Sequence, residues 1–112
     1  MTEKLTGFGV VLVTTASETE AEHLAIALLN ERLAACVSIY PIRSIYRWQG
    51  QIENEREWQL VIKTDLKQFE QLSAKIQELH TYAVPEIIAL PIVAGSQTYL
   101  DWLASPTGGV SE

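Results

Sequence analysis

The chain has 112 residues, 47% of them hydrophobic, a formal charge of −6 and one cysteine. That length is one domain with enough chain to bury a core without staples, and a lone cysteine excludes an internal disulfide. The acidic balance argues against nucleic acid, whose phosphates demand positive surface, and no apolar run is long enough for a membrane helix.

The predicted elements follow in chain order. Residues 8–14 form a short β-branched apolar run, a strand. Ser17 and Glu20 have capping-box spacing. Ala21, Leu24, Ala25 and Leu28 then recur at helical period, which predicts a helix to about Leu33. Residues 35–40 are a second strand, interrupted by Pro41. Proline cannot donate to a ladder, so this strand is an edge or is bulged there. It resumes over 44–48, turns at Gln49-Gly50-Gln51, and returns from Ile52 to Thr64. Asp65 and Gln68 are placed to cap a second helix, whose buried stripe is Phe69, Leu72, Ile76 and Leu79. Pro85 precedes a last strand over 86–93. Ser96 caps a short helix with Tyr99, Leu100, Trp102 and Leu103, and residues 105–112 read as a frayed tail after a single domain over 1–104.

The order βαββαβ predicts an α+β, ferredoxin-like sandwich with a long β2–β3 hairpin and a short C-terminal helix. Residues 10–13, 60–62 and 87–90 do not alternate apolar with polar, so both sheet faces are expected to be dry. With both helices on one face, the chain has no spare element for the other, and a second copy is the simplest cover. Hairpin arms of about a dozen residues, roughly 40 Å at ~3.3 Å per residue, outrun a small domain and also call for a neighbour. The first residues lack the basic start and apolar run of a signal peptide, so a cytoplasmic protein is expected.

Catalytic patterns are weak. Cys36 and His80 are a conceivable nucleophile and base, but Cys36 sits in an apolar strand, where a free cysteine usually packs as a small hydrophobe. No G-x-S-x-G elbow occurs. The loop at residues 14–17 has no C-x-x-C for Cu(I) and no glycine-rich phosphate cradle with arginine. The central strands lack the base-stacking aromatics of an RNA-recognition motif.

Two segments stand out: residues 44–50, with Tyr46 and Trp48 on one strand face and Arg47 on the other, and residues 80–86. With residues 33–37, 62–64 and the ending Tyr99-Leu100-Asp101-Trp102-Leu103, they resemble the CutA family of divalent-cation-tolerance proteins, over about Val10 to Leu103. The resemblance implies a non-catalytic homotrimer knitted by the long hairpins, likeness to PII-type signalling proteins, and response to copper and other divalent metal ions. Copper-binding members use a cysteine at the end of the first strand and adjacent histidines at the end of the second helix. Thr14, Leu79 and His80 stand at those positions here. The carry-over therefore leaves His80 as the metal ligand and predicts at most weak Cu(II) binding. A histidine near a helix C-terminus is equally explained by the helix dipole.

Cys36, Trp48, Lys63, Tyr82 and Glu86 are the candidates for a ligand site between subunits, for an anion or a small metabolite. Each has an ordinary alternative: interface packing for Trp48, an ion pair for Lys63 and Glu86, a loop tether for Tyr82. Glu53, Glu55 and Glu57 share one strand face by their period of two and read as a solvated face.

Overall fold

A computed structural model describes residues 6–105. The elements are β1 (Phe8–Thr15), α1 (Glu18–Asn30), β2 (Cys36–Trp48), β3 (Gln51–Asp65), a 3-10 turn (Leu66–Gln68), α2 (Phe69–Leu79), β4 (Ile88–Pro91) and α3 (Gln97–Ala104). The strands form one antiparallel sheet in the order β2-β3-β1-β4, the ferredoxin-like arrangement that the element order predicts.

Local chemistry sets the boundaries. The Ser17 hydroxyl accepts from the Glu20 N–H at 3.1 Å and starts α1. The helix stops at Asn30, short of the expected Leu33. Arg32 takes a left-handed φ of 57°, and the Leu33 N–H returns to the Leu28 carbonyl at 2.9 Å. This reversal is what carries Leu33 and Ala34 under the core. The Asp65 carboxylate accepts from Lys67 N–H at 2.9 Å, but it opens the 3-10 turn, and α2 begins only at Phe69. Gln68 does not complete a capping box; its Oε1 is buried without a partner. Of the expected tail, Ser105 closes α3 with a bond to the Trp102 carbonyl. The rest, 106–112, lies outside the described residues.

The hairpin is regular from Cys36↔Lys63 to Trp48↔Gln51, through Pro41↔Trp58, without a bulge. Pro41 is tolerated because β2 is an edge strand. Gln49 and Gly50 both take positive φ, 51° and 78°, the two-residue turn whose twist matches a right-twisted ribbon. β1 pairs with β3 only as far as Thr15↔Trp58. Residues 42–48 and 51–57 therefore project as a free two-stranded arm about 20 Å long.

The helix-side core joins Val11, Val13, Leu60 and Ile62 of the sheet to Leu24, Leu28, Leu72 and Ile76 of the helices. The opposite face corrects the expectation of no spare element. Lys63, which points there, lies 5.4 Å from the ring centre of Tyr99, and Leu103 is fully buried outside the helix-side cluster. α3 thus covers one end of the second face. The rest stays open: Ile88 and Leu90 are each 48% exposed. β4 is shorter than expected because the Thr14 carbonyl, where its pairing with β1 would continue, accepts instead from His80.

Candidate functional site

The segment after α2 is bolted to three elements. His80 Nε2–H donates to the Thr14 carbonyl of β1 at 2.7 Å. The Tyr82 backbone N–H donates to His80 Nδ1 at 3.0 Å. That donor requires an unprotonated Nδ1, so the neutral ring carries its proton on Nε2. Glu20 of α1 accepts from the Thr81 N–H and hydroxyl, both at 3.1 Å. The Tyr82 hydroxyl donates to Glu57 of β3 at 2.6 Å. The His80 side chain is fully buried, and its ring lies 4.8 Å from that of Tyr82.

In front of this segment, on the open sheet face, a groove of about 750 Å³ is lined by Thr14, Tyr46, Trp48, Tyr82 and the carboxylates Glu53, Glu55, Glu57 and Glu86. Strand alternation puts Tyr46 directly opposite Glu53 and next to Glu55, to which its hydroxyl donates. These acids hold both phenols protonated. The Tyr46 hydroxyl is pushed up to about 12, by the Glu55 hydrogen bond first and then by desolvation and the surrounding carboxylates. Burial, then the Glu57 bond and charge, push Tyr82 well above the ordinary phenol range.

The predicted site residues thus divide. Trp48, Tyr82 and Glu86 come together in the groove. Cys36 and Lys63 do not: they face each other across β2 and β3 at the far end of the sheet, with Lys63 over Tyr99. Among the described residues of one subunit there is no Lys63–Glu86 pair, and Lys63 does not join Tyr82 in the groove lining. His80 lies behind the groove with both ring nitrogens engaged. Thr14 gives its carbonyl to that ring, and the aliphatic Leu79 offers no donor atom, so these three positions do not fit a copper ligand set. Among the described residues, no three histidine, cysteine or carboxylate groups converge as a metal cluster. The Glu53-Glu55-Glu57 run, read from sequence as a solvated face, is the acidic wall of the groove, and Glu57 is only 8% exposed. Its period of two, set against Tyr46 and Trp48 through the two-residue turn, was the signal that placed it.

Tyr82→Phe tests the tether. Losing one hydroxyl–carboxylate bond should cost about 1 kcal/mol at neutral pH. The raised Tyr82 pKa fixes the pH dependence. Below pH ~10 the phenol is neutral in both states and the bond contributes in full. Above it the unfolded chain releases a proton that the folded chain keeps, so the advantage falls as pH rises. Urea midpoints at pH 8 and pH 11 should converge for the two proteins; a constant gap would contradict the tether.

A four-stranded sandwich with a projecting hairpin and an acidic, aromatic groove at the hairpin's base defines a ferredoxin-like protein with a cleft on its open sheet face. The family is recognisable: residues 9–106 match the CutA1 divalent ion tolerance protein model, and the chain belongs to that family. The divalent-cation tolerance protein CutA of Thermus thermophilus is 51% identical over 100 residues, spanning 88% of this chain and 97% of that one. The structure of CutA from Synechococcus elongatus superposes with a TM-score of 0.84 at 44% identity, covering 90% and 89% of the two chains. The periplasmic divalent cation tolerance protein CutA of Archaeoglobus fulgidus gives 0.83 at 38% identity, covering 85% and 93%.

Proposed function

We propose that the chain works as a non-catalytic homotrimer of divalent-ion response, PII-like in its use of clefts between subunits, with ions meeting the groove carboxylates loosely and not a closed site at His80. The observation that carries this reading is the groove itself: Glu53, Glu55 and Glu86 stand there beside open volume, while the implied histidine is spent on the backbone. Carboxylates without converging geometry attract divalent ions but select poorly among them. The trimer is supported by the free arm and by the uncovered apolar surface at Ile88 and Leu90. Within one subunit the groove lining carries four carboxylates and no lysine or arginine, which favours a cation over an anionic metabolite.

Two measurements test this. Sedimentation equilibrium at micromolar protein should give a trimer mass; a monomer there removes the assembly. Calorimetry with Cu(II) should show only weak binding, above about 1 μM in Kd, reduced by Glu53→Gln/Glu55→Gln and nearly unchanged by His80→Gln. A submicromolar site that survives the glutamate changes would place the ion elsewhere.

A further inference from the structure

Glu57 is a buried charge without a counter-ion. The residue is only 8% exposed, and its Oε2 accepts from the Tyr82 hydroxyl, a neutral donor. Among the described residues, Oε1 takes no hydrogen bond, and no lysine, arginine or histidine pairs with the carboxylate. A carboxylate withdrawn from water in this way is unfavourable until a cation or further donors reach it. Its open side is the groove, which it lines together with Glu53, Glu55 and Glu86. The charges there are spread along the strand. Glu53, Glu55 and Glu57 follow at every second residue of β3, about 7 Å apart, and among the described residues no three carboxylate, histidine or cysteine groups converge on one point. Across from them on β2, Tyr46 and Trp48 present their rings to the same groove, Trp48 being 59% exposed.

We propose that the groove binds a linear aliphatic polyamine, with one ammonium group against Glu57 and the next against the carboxylates toward the mouth. Each part of the lining fits this ligand better than a bare metal ion. A compact divalent ion demands several oxygens around a single point, which spread carboxylates do not offer. Ammonium groups joined by three- or four-carbon spacers carry their charge at an interval close to that of alternate strand residues. One extended molecule therefore meets successive carboxylates through charge-assisted hydrogen bonds. Its methylene spacers need apolar cover, and its ammonium groups are attracted to ring faces. Tyr46, Trp48 and Tyr82 supply both. A monoamine would neutralise Glu57 and leave the outer carboxylates unmet. The volume of about 750 Å³ is that of an ordinary small-ligand pocket. This inference rests on the groove being the cation site of the proposed function and adds the class of ligand. Divalent ions would compete weakly for the same carboxylates.

The test is calorimetry of the full chain with spermidine, putrescine, butylamine and Mg²⁺ in metal-free buffer of low ionic strength. Spermidine should bind at least about tenfold more tightly than butylamine or Mg²⁺, with putrescine between, because each added ammonium meets another carboxylate. Glu57→Gln keeps an acceptor for the Tyr82 hydroxyl and removes the charge, so it should lower spermidine affinity at least about tenfold. Glu22→Gln, an equal change of net charge on the exposed side of α1, should not. Spermidine should also shift the tryptophan emission, and Trp48→Phe should remove that shift. If Glu57→Gln does not fold, Glu53→Gln/Glu86→Gln carries the same expectation. Equal affinities for spermidine and butylamine, or equal effects of Glu57→Gln and Glu22→Gln, overturn the polyamine site. If divalent ions titrate onto the groove glutamates while spermidine does not bind, this inference falls and the cation groove stands. If neither binds, both fall.

Discussion

His80→Ala is expected to lower the unfolding free energy by about 3 kcal/mol, with a fall in Tm on the order of 10–20 °C. The imidazole is fully buried, so its removal leaves a cavity. It also orphans two backbone groups at once: the Thr14 carbonyl, now satisfied at 2.7 Å, and the Tyr82 N–H, now satisfied at 3.0 Å. Each unsatisfied buried group costs about 1–3 kcal/mol, and the lost packing adds to that. His80→Phe should be nearly as costly, because it refills the volume without restoring either bond. Urea denaturation at matched protein concentration measures both, since the proposed assembly would make apparent stability concentration-dependent. A metal ligand waiting in a preformed site would behave differently: its removal should cost well under 1 kcal/mol in metal-free buffer. A small change in both variants would therefore return His80 to the role of ligand.

Trp48→Ala is expected to weaken assembly by about 2 kcal/mol, roughly thirtyfold in dissociation constant, and to do so more than Trp102→Ala. The two indoles differ in what holds them within the subunit. Trp102 stacks on Tyr99 of its own helix with ring centres 5.6 Å apart, and its carbonyl accepts from Ser105. Its loss should first loosen α3. Trp48 stands at the end of the arm beside the turn, on the groove face, and is 59% exposed. An aromatic left this exposed adds little to the isolated subunit, whereas against a neighbouring subunit of the proposed trimer it would be a desolvated anchor. Dilution followed by native mass spectrometry separates the cases. Dissociation of the Trp102 variant at higher concentration than the Trp48 variant would assign the anchor to the C-terminal helix instead.

The element order and most boundaries were legible because they depend on neighbours in the chain. Ser17 caps α1 through a residue three positions on, and Gln49-Gly50 supplies the φ values a tight hairpin needs. The period of two along β2 and β3 is enough to put Tyr46 with Trp48, and Glu53 with Glu55 and Glu57, on single faces. Residues 44–50 and 80–86, with the C-terminal Tyr99-Leu100-Asp101-Trp102-Leu103, likewise pointed to the family. Local patterns failed where a distant partner decided. The helix expected to reach Leu33 stops early because Leu33 is worth more under the core. The last strand is short because the carbonyl it would pair with is taken by His80, 66 residues away in sequence.

The site was decided by tertiary structure almost entirely. Lys63 and Tyr82 were each reasonable pocket residues, but strand direction carries Lys63 to the far end of the sheet, opposite Cys36 and under Tyr99. Whether His80 offers a lone pair depends on what faces its two nitrogens: the Thr14 carbonyl and the Tyr82 N–H, backbone groups that no side-chain motif records, with the Glu20 carboxylate 3.5 Å from Nδ1. The acidic run became a groove wall only once the hairpin register and the loop at residues 80–86 closed around it. Composition and period assign a residue to a face; which faces meet, and which polar atoms remain free, is settled by packing and by the rule that buried hydrogen-bonding groups find partners.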